Sequence, residues 1–181
     1  MFDMAVRLHA LRQTGLPIAI TAFNGFRDEQ QSTRFAELAD QGPHEAAQAE
    51  NIAIASAAGN YDYVLVLVGR VHAMKQPISK NRQEFDPMAR RLARYAKTLS
   101  LNMRHADGTS WNCTLAAKHD QAAKRIGAND LDCSSHPTKG EAPLGPKPFI
   151  KLEQSDPQDG YSNFDGYFWV GPISASPPKL P

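Results

Sequence analysis

Apolar residues along this chain gather in two kinds of pattern, short unbroken runs and helical stripes. From 63 to 68 the chain reads Tyr-Val-Leu-Val-Leu-Val, ended by Gly69 and followed three residues later by His72. A β-branched run of that length predicts a strand buried on both faces, as in a parallel sheet covered by helices. A second run at 17–23, Pro-Ile-Ala-Ile-Thr-Ala-Phe, predicts another strand, closed by the turn signal Asn24-Gly25. Between them lies helical sequence. Pro43 suits a first helical position, and Glu45 complements the positive end of the helix dipole. Alanine-rich sequence then runs to Ala58, where Gly59-Asn60 stops it. Helix, short turn and buried strand make half of a βαβ unit.

The flanks read less regularly. Residues 2–14 predict a helix with Met4, Leu8 and Leu11 on one stripe and Gly15 beyond its last turn. A short helix is expected at 32–39. Residues 74–85 read as a polar loop. Asp86-Pro87 predicts the start of a helix reaching 97, with Met88, Leu92 and Tyr95 as its stripe. Residues 98–103 and 109–116 predict a hairpin about the Asp107-Gly108 turn. Four prolines and two glycines between 134 and 148 predict loop. Short strands are expected at 148–153 and 166–171, and a proline-rich extended end at 174–181. The expected fold is α/β: a small, mainly parallel sheet flanked by helices, an antiparallel hairpin and an irregular proline-rich C-terminal arm. Residues 1–116 would form the α/β domain, and 117–181 a loop-rich extension.

Composition narrows the classes. With 181 residues and a formal net charge of +1, the chain has dispersed Lys and Arg, so no nucleic-acid footprint is expected. The small cluster Arg90, Arg91 and Arg94 reads as a solvated helix face. No apolar run nears the roughly 18 residues of a membrane span. No signal-peptide pattern opens the chain, which points to the cytoplasm, or to export if the true start lies upstream. Cys113 and Cys133, twenty apart, permit a disulfide of about 3 kcal/mol, which would imply an oxidising compartment. Read instead with His119 and His136 they are zinc-type ligands, but poorly spaced for it. The aromatic cluster Tyr161, Tyr167, Phe168 and Trp169 reads as core or as a surface on which the tail docks.

Sites in open α/β folds lie beyond the carboxyl ends of strands. His72 occupies such a place and titrates near neutrality, so it could act as a general base on water or ligate a metal. Glu45 and His44, at a helix N-terminus, could orient His72 or share a metal. Asn24, Arg27 and Asp28 follow the first strand and would flank the same crevice, with Arg27 suited to a carboxylate or phosphate. Arg70 and Lys75 would make its mouth basic. Gly-x-Ser-x-Gly, P-loop and dinucleotide fingerprints are absent from the sequence.

The segment His-Glu-Ala-Ala-Gln-Ala-Glu-Asn-Ile at 44–52, a strand, and then Gly-Arg-Val-His-Ala at 69–73 resemble the erythromycin-esterase-like, ChaN-like and Tiki (TraB) superfamily. Glu45, Asn51, Gly69 and His72 fall on its motif positions. His44 replaces its usual arginine, Gln48 its methionine and Gly69 the first strand-end histidine of its esterase-like members. The family's upstream Gly-Glu-x-His motif would precede Met1, so the resemblance is to a C-terminal half. Trp111-Asn112-Cys113 is also similar to bacterial members. The resemblance implies ester or amide hydrolysis with His72 and Glu45 as catalytic residues, unaided or with a divalent metal held by the same pair, and with Arg27, Arg70 and Asn24 binding a small-molecule substrate. It equally implies a ChaN-like haem- or metal-binding protein. A third reading is an inactive remnant serving as a homo-oligomeric binding module.

Overall fold

The computed structural model describes residues 2–59, 61–80, 83–115, 127, 130–153 and 163–176. The chain forms two compact units, Met1–Leu67 with Pro77–Lys97, and Val68–Gln76 with Thr98–Pro181. The expected boundary at 116 lies inside the second. The class is α/β, with four helices and three small sheets among the described residues.

The first unit is built on helices. α1 (Phe2–Gln13) ends at Gly15, whose φ of 91° is the left-handed value glycine accepts freely. Met4 and Leu11 of its stripe remain exposed. α2 (Glu29–Phe35) begins earlier than expected because Asp28 caps it, accepting the Gln31 backbone N–H at 2.7 Å. α3 (Gly42–Ala58) carries Pro43 in its first turn and buries Ala46, Ala47, Ala49 and Ile52. Alanine side chains let neighbours approach closely. Against α3 pack α2 and α4 (Met88–Leu92), the latter burying Met88, Ala89 and Leu92. Burial of a side chain such as Met88 contributes about 2 kcal/mol. Within the expected 74–85 loop, β1 (Ile78–Lys80) and β2 (Gln83–Phe85) pair antiparallel, and Phe85 turns inward.

The second unit centres on a mixed sheet in the order β3 (Leu101–Ala106), β7 (Gly166–Pro172), β6 (Phe149–Leu152). β3 and β7 are parallel, and β6 and β7 antiparallel. Trp169, Tyr167 and Ala106 form its core, with Phe149 edge-on to Tyr167 at 5.8 Å. The Trp169 indole N–H donates to Gly145 O at 3.0 Å, and the Arg104 guanidinium lies over the Tyr167 ring at 4.0 Å. Gly166 opens β7 at φ 158°, where a Cβ would strike the Lys151 carbonyl oxygen. β4 (Gly108–Leu115) and β5 (Leu131–Thr138) form a separate antiparallel ribbon. Cys113 and Cys133 lie directly opposite in it and are joined as a disulfide. The base of the ribbon is fixed by the Thr109 N–H to Ile173 O bond and by Ala175 N–H to Thr109 Oγ1.

Several expectations are corrected. The sheet is not mainly parallel, because the two predicted parallel strands, 17–23 and 63–68, join no ladder. Nor is either run buried, since Ile20, Tyr63 and Leu65 are exposed; an apolar run is buried only where neighbours cover it, and no described segment pairs with either. Leu101–Ala106 and Gly108–Leu115 do not form a hairpin across Asp107. The Asp107 carboxylate instead accepts the Gly140 N–H at 2.8 Å, and each strand finds a distant partner. Residues 131–138 are strand despite Pro137, which is tolerated in a two-stranded ribbon where every strand is an edge. α4 stops at Leu92, and Asp86 is not its cap; its carboxylate pairs with Arg90 and Arg94. His119, Tyr161, Asn60 and the end at 177–181 lie outside the described residues.

A two-stranded ribbon is marginal alone, so its outer half should depend on the disulfide. Reduction with dithiothreitol is expected to speed amide exchange at 112–115 and 131–134 by about tenfold or more. Exchange in the three-stranded sheet should stay unchanged. Hydrogen-exchange mass spectrometry checks both.

Candidate functional site

In the first unit, a row of polar side chains on α3 faces inward among alanines. Glu45 is 1% exposed. Its Oε2 accepts the Met88 backbone N–H at 2.7 Å. α4 has no cap from its own sequence, so a carboxylate on a different helix supplies it. Arg91 adds a second electrostatic partner, its guanidinium pKa depressed by burial and partly restored by Asp86 and Glu45.

One turn on, Gln48 is also buried. Its Nε2 bonds Asn24 Oδ1 at 3.0 Å and His44 Nε2 at 2.7 Å. Gln48 Oε1 has no hydrogen-bond partner among the described residues. Asn51 follows, its amide N–H groups donating to Phe23 O and Gly25 O, both at 3.0 Å. Asn51 Oδ1 accepts from Gln31 Nε2 at 3.0 Å. Fully buried Gln31 also donates to Glu50 Oε2 at 2.6 Å and accepts the Arg27 N–H at 2.7 Å. Arg34 holds Glu50 through both carboxylate oxygens. These bonds fasten the loop 23–28 to α3. Without a sheet, amides rather than strand ladders hold this stretch of chain in place.

Along the loop and the second half of α3 runs an open groove of about 310 Å³. Phe23, Phe26 and Ile54 give it apolar walls, and Thr21, Asn24, Arg27 and Asn51 give it polar ones; among the described residues no carboxylate lines it. Arg27 uses Nε on Asp28 at 3.0 Å and is half exposed. Asp28 is held below the ordinary carboxyl value, first by the Gln31 N–H and then by Arg27. A smaller hollow of about 190 Å³ lies beside Arg91, whose Nε donates to Asp86 O at 3.1 Å.

His72 and Arg70 belong to the second unit. Residues 70–73 form a turn, with the Ala73 N–H reaching Gly69 O and Arg70 O. Ser100 Oγ donates to Ala73 O, and Lys75 Nζ pairs with Asp165 at 2.5 Å. Asp165 also accepts the Ser100 N–H at 2.8 Å. His72 is half-buried on this anchored turn.

Asn24 and Arg27 thus come together on one groove, and Glu45 lies on the helix that floors it. No group of three or more His, Cys, Asp or Glu suited to a metal occurs among the described residues. Glu45 Oε2 is already engaged by the Met88 N–H. The cysteines of the zinc-type set are bonded to each other. The sequence reading missed Gln31 and Gln48 as organisers. His44, Gln48 and Asn51 recur at helical spacing on one face, a polar stripe that could have flagged Gln48; Gln31 carries no such signal. No family model, no curated protein and no solved structure matches the chain.

Two outcomes test these roles. Glu45→Ala should destabilise the chain by about 2 kcal/mol in urea unfolding, since it leaves the buried Met88 N–H without its acceptor. Glu45→Gln, which keeps an acceptor, should cost clearly less. Asp28, depressed in the folded state, stabilises above its unfolded value of about 4, and that contribution fades as pH falls through the folded value. Asp28→Asn should therefore flatten the acid limb of a stability–pH curve from about pH 4 downward, leaving neutral and alkaline regions parallel to the parent.

Proposed function

We propose that the chain is a small-molecule-binding module whose groove takes an amphipathic anion, a carboxylate or phosphate carried on an apolar body. The carrying observation is the lining: cationic and amide donors beside aromatic and aliphatic walls, with no carboxylate among them. Arg27 would take the anion through its terminal nitrogens, since only its Nε is engaged by Asp28. Asn24, whose oxygen is occupied by Gln48, has its N–H groups to offer. Phe26 and Ile54, both partly exposed, would cover the apolar body.

Binding is favoured over ester or amide hydrolysis by what Glu45 does. A carboxylate fully buried and committed to a helix N-terminus is poorly placed to orient a histidine toward water. The hydrolytic reading, with His72 and Glu45 as its pair and Arg70 at the mouth, remains a distinct proposal with its own signature. So does haem or metal binding through His72.

Phenylacetate and its neutral amide serve as probes in a two-dimensional NMR titration. Phenylacetate should shift amides at 21–27 and 51–55, and phenylacetamide should bind more weakly. Arg27→Gln should lower phenylacetate affinity by about tenfold, the loss of one charge-assisted hydrogen bond. Equal binding of acid and amide, or indifference to Arg27→Gln, would overturn the reading. Cleavage of p-nitrophenyl acetate abolished by both His72→Ala and Glu45→Gln would favour hydrolysis instead.

A further inference from the structure

Three side-chain bonds from α3 fall on three successive residues of the 23–28 loop. Asn51 Nδ2 donates to Phe23 O and Gly25 O, and Gln48 Nε2 donates to Asn24 Oδ1. In each the helix gives the proton, so these acceptors of the loop are spent on α3. A carboxamide carries its oxygen on one side and its N–H groups on the other. With Oδ1 held by Gln48, the Asn24 N–H groups stay free, and they meet no acceptor among the described residues. Asn24 lines the groove and Gln48 does not. Gln48 is only 4% exposed, and its own oxygen is bare among the described residues. A bare buried acceptor costs stability, and departures of that kind gather at functional sites.

Resting on the groove's taking an anion, we propose that Gln48 is a positioning residue that decides which head groups the groove accepts. It acts through Asn24 and touches no ligand itself. By donating to Asn24 Oδ1 it leaves the groove the N–H edge of that amide rather than its oxygen. The heads that fit are those that accept without donating, an ionised carboxylate or a fully ionised phosphate. A primary amide can offer only its oxygen, and an ammonium offers no acceptor; donors that face donors are left unpaired. Two discriminations are thereby separated. Arg27 reads charge, and Asn24, set by Gln48, reads the direction of the hydrogen bond. Fastening the loop to the helix does not by itself require Gln48, because Asn51 already holds the carbonyls on both sides of Asn24. What the third bond adds is the orientation of one side chain.

Affinities of the full chain for phenylacetate and phenylacetamide, measured for Gln48→Met, Asn24→Ala and the double variant, test it. Methionine fills similar space without a donor and frees the Asn24 amide to turn. Phenylacetate affinity should then fall about fivefold, the worth of one hydrogen bond, while phenylacetamide affinity holds or rises. With Asn24→Ala already in place, Gln48→Met should cost nothing further, because its effect passes through Asn24. A merely structural role would weaken both ligands in both backgrounds. Asn24→Asp keeps an acceptor for Gln48 and turns a second oxygen to the groove. It should melt near the parent yet lose more phenylacetate affinity than Asn24→Ala. Equal losses for acid and amide in Gln48→Met, additive losses in the double variant, or an Asn24→Asp chain that still prefers the acid would each overturn the proposal. A parent that does not tell acid from amide would overturn the anion reading of the groove, and the role of Gln48 with it. A parent that does, unmoved by Gln48→Met, would overturn the role of Gln48 alone. Should Gln48→Met fail to fold, Asn24→Asp decides.

Discussion

A carboxylate taken out of water must find donors, and at Glu45 that need shapes the first unit. The nearest strong donors are the free N–H groups at the start of α4, which has no cap of its own. One hydrogen bond therefore serves two needs of the fold: it gives a buried acid a donor, and it fixes where a five-residue helix sits on α3. The same logic repeats one and two turns along α3. Gln48 and Asn51 cannot be left bare, and the groups that satisfy them are a side chain and two carbonyls of the 23–28 loop. The groove exists because that loop is held off the helix by amide-length contacts.

The helices were the legible part of this chain. α3 could be read from Pro43, the alanines and Gly59, because those signals are local and the helix satisfies its own backbone. α1 and its Gly15 stop were readable for the same reason. Strands were legible only as segments. The 148–153 and 166–171 runs do become β6 and β7, yet nothing local in them says that β7 runs parallel to β3. Asp107-Gly108 resembles a hairpin turn, but a turn signal only permits pairing across it. Here Asp107 caps a distant amide, and both flanking strands pair elsewhere. The run 63–68 is the clearest case: it reads as a strand buried on both faces, but it joins no ladder and leaves Tyr63 and Leu65 exposed, because the neighbours that would cover it are not written in it.

Residue types with reach and charge, such as Asn24, Arg27, Glu45 and His72, were visible as chemistry. Their division of labour was not. Glu45 and Asp28 are acids that cap helices, Lys75 is a base absorbed by Asp165, and Arg27 keeps its outer nitrogens at the larger groove. A sequence shows which groups could react; only the packing shows which are already spoken for. Gln31 illustrates the converse. A glutamine in a polar segment has no outward mark of importance, yet its amide touches Arg27, Glu50 and Asn51 together.

The Cys113–Cys133 bond also changes the connectivity of the molecule. Through it the second unit contains a covalent ring closed across the β4–β5 ribbon, with the rest of the chain leaving as two tails. A protease that cuts any single peptide bond between the two cysteines opens the ring without dividing the protein. The two pieces would still migrate together without reductant and separate with it.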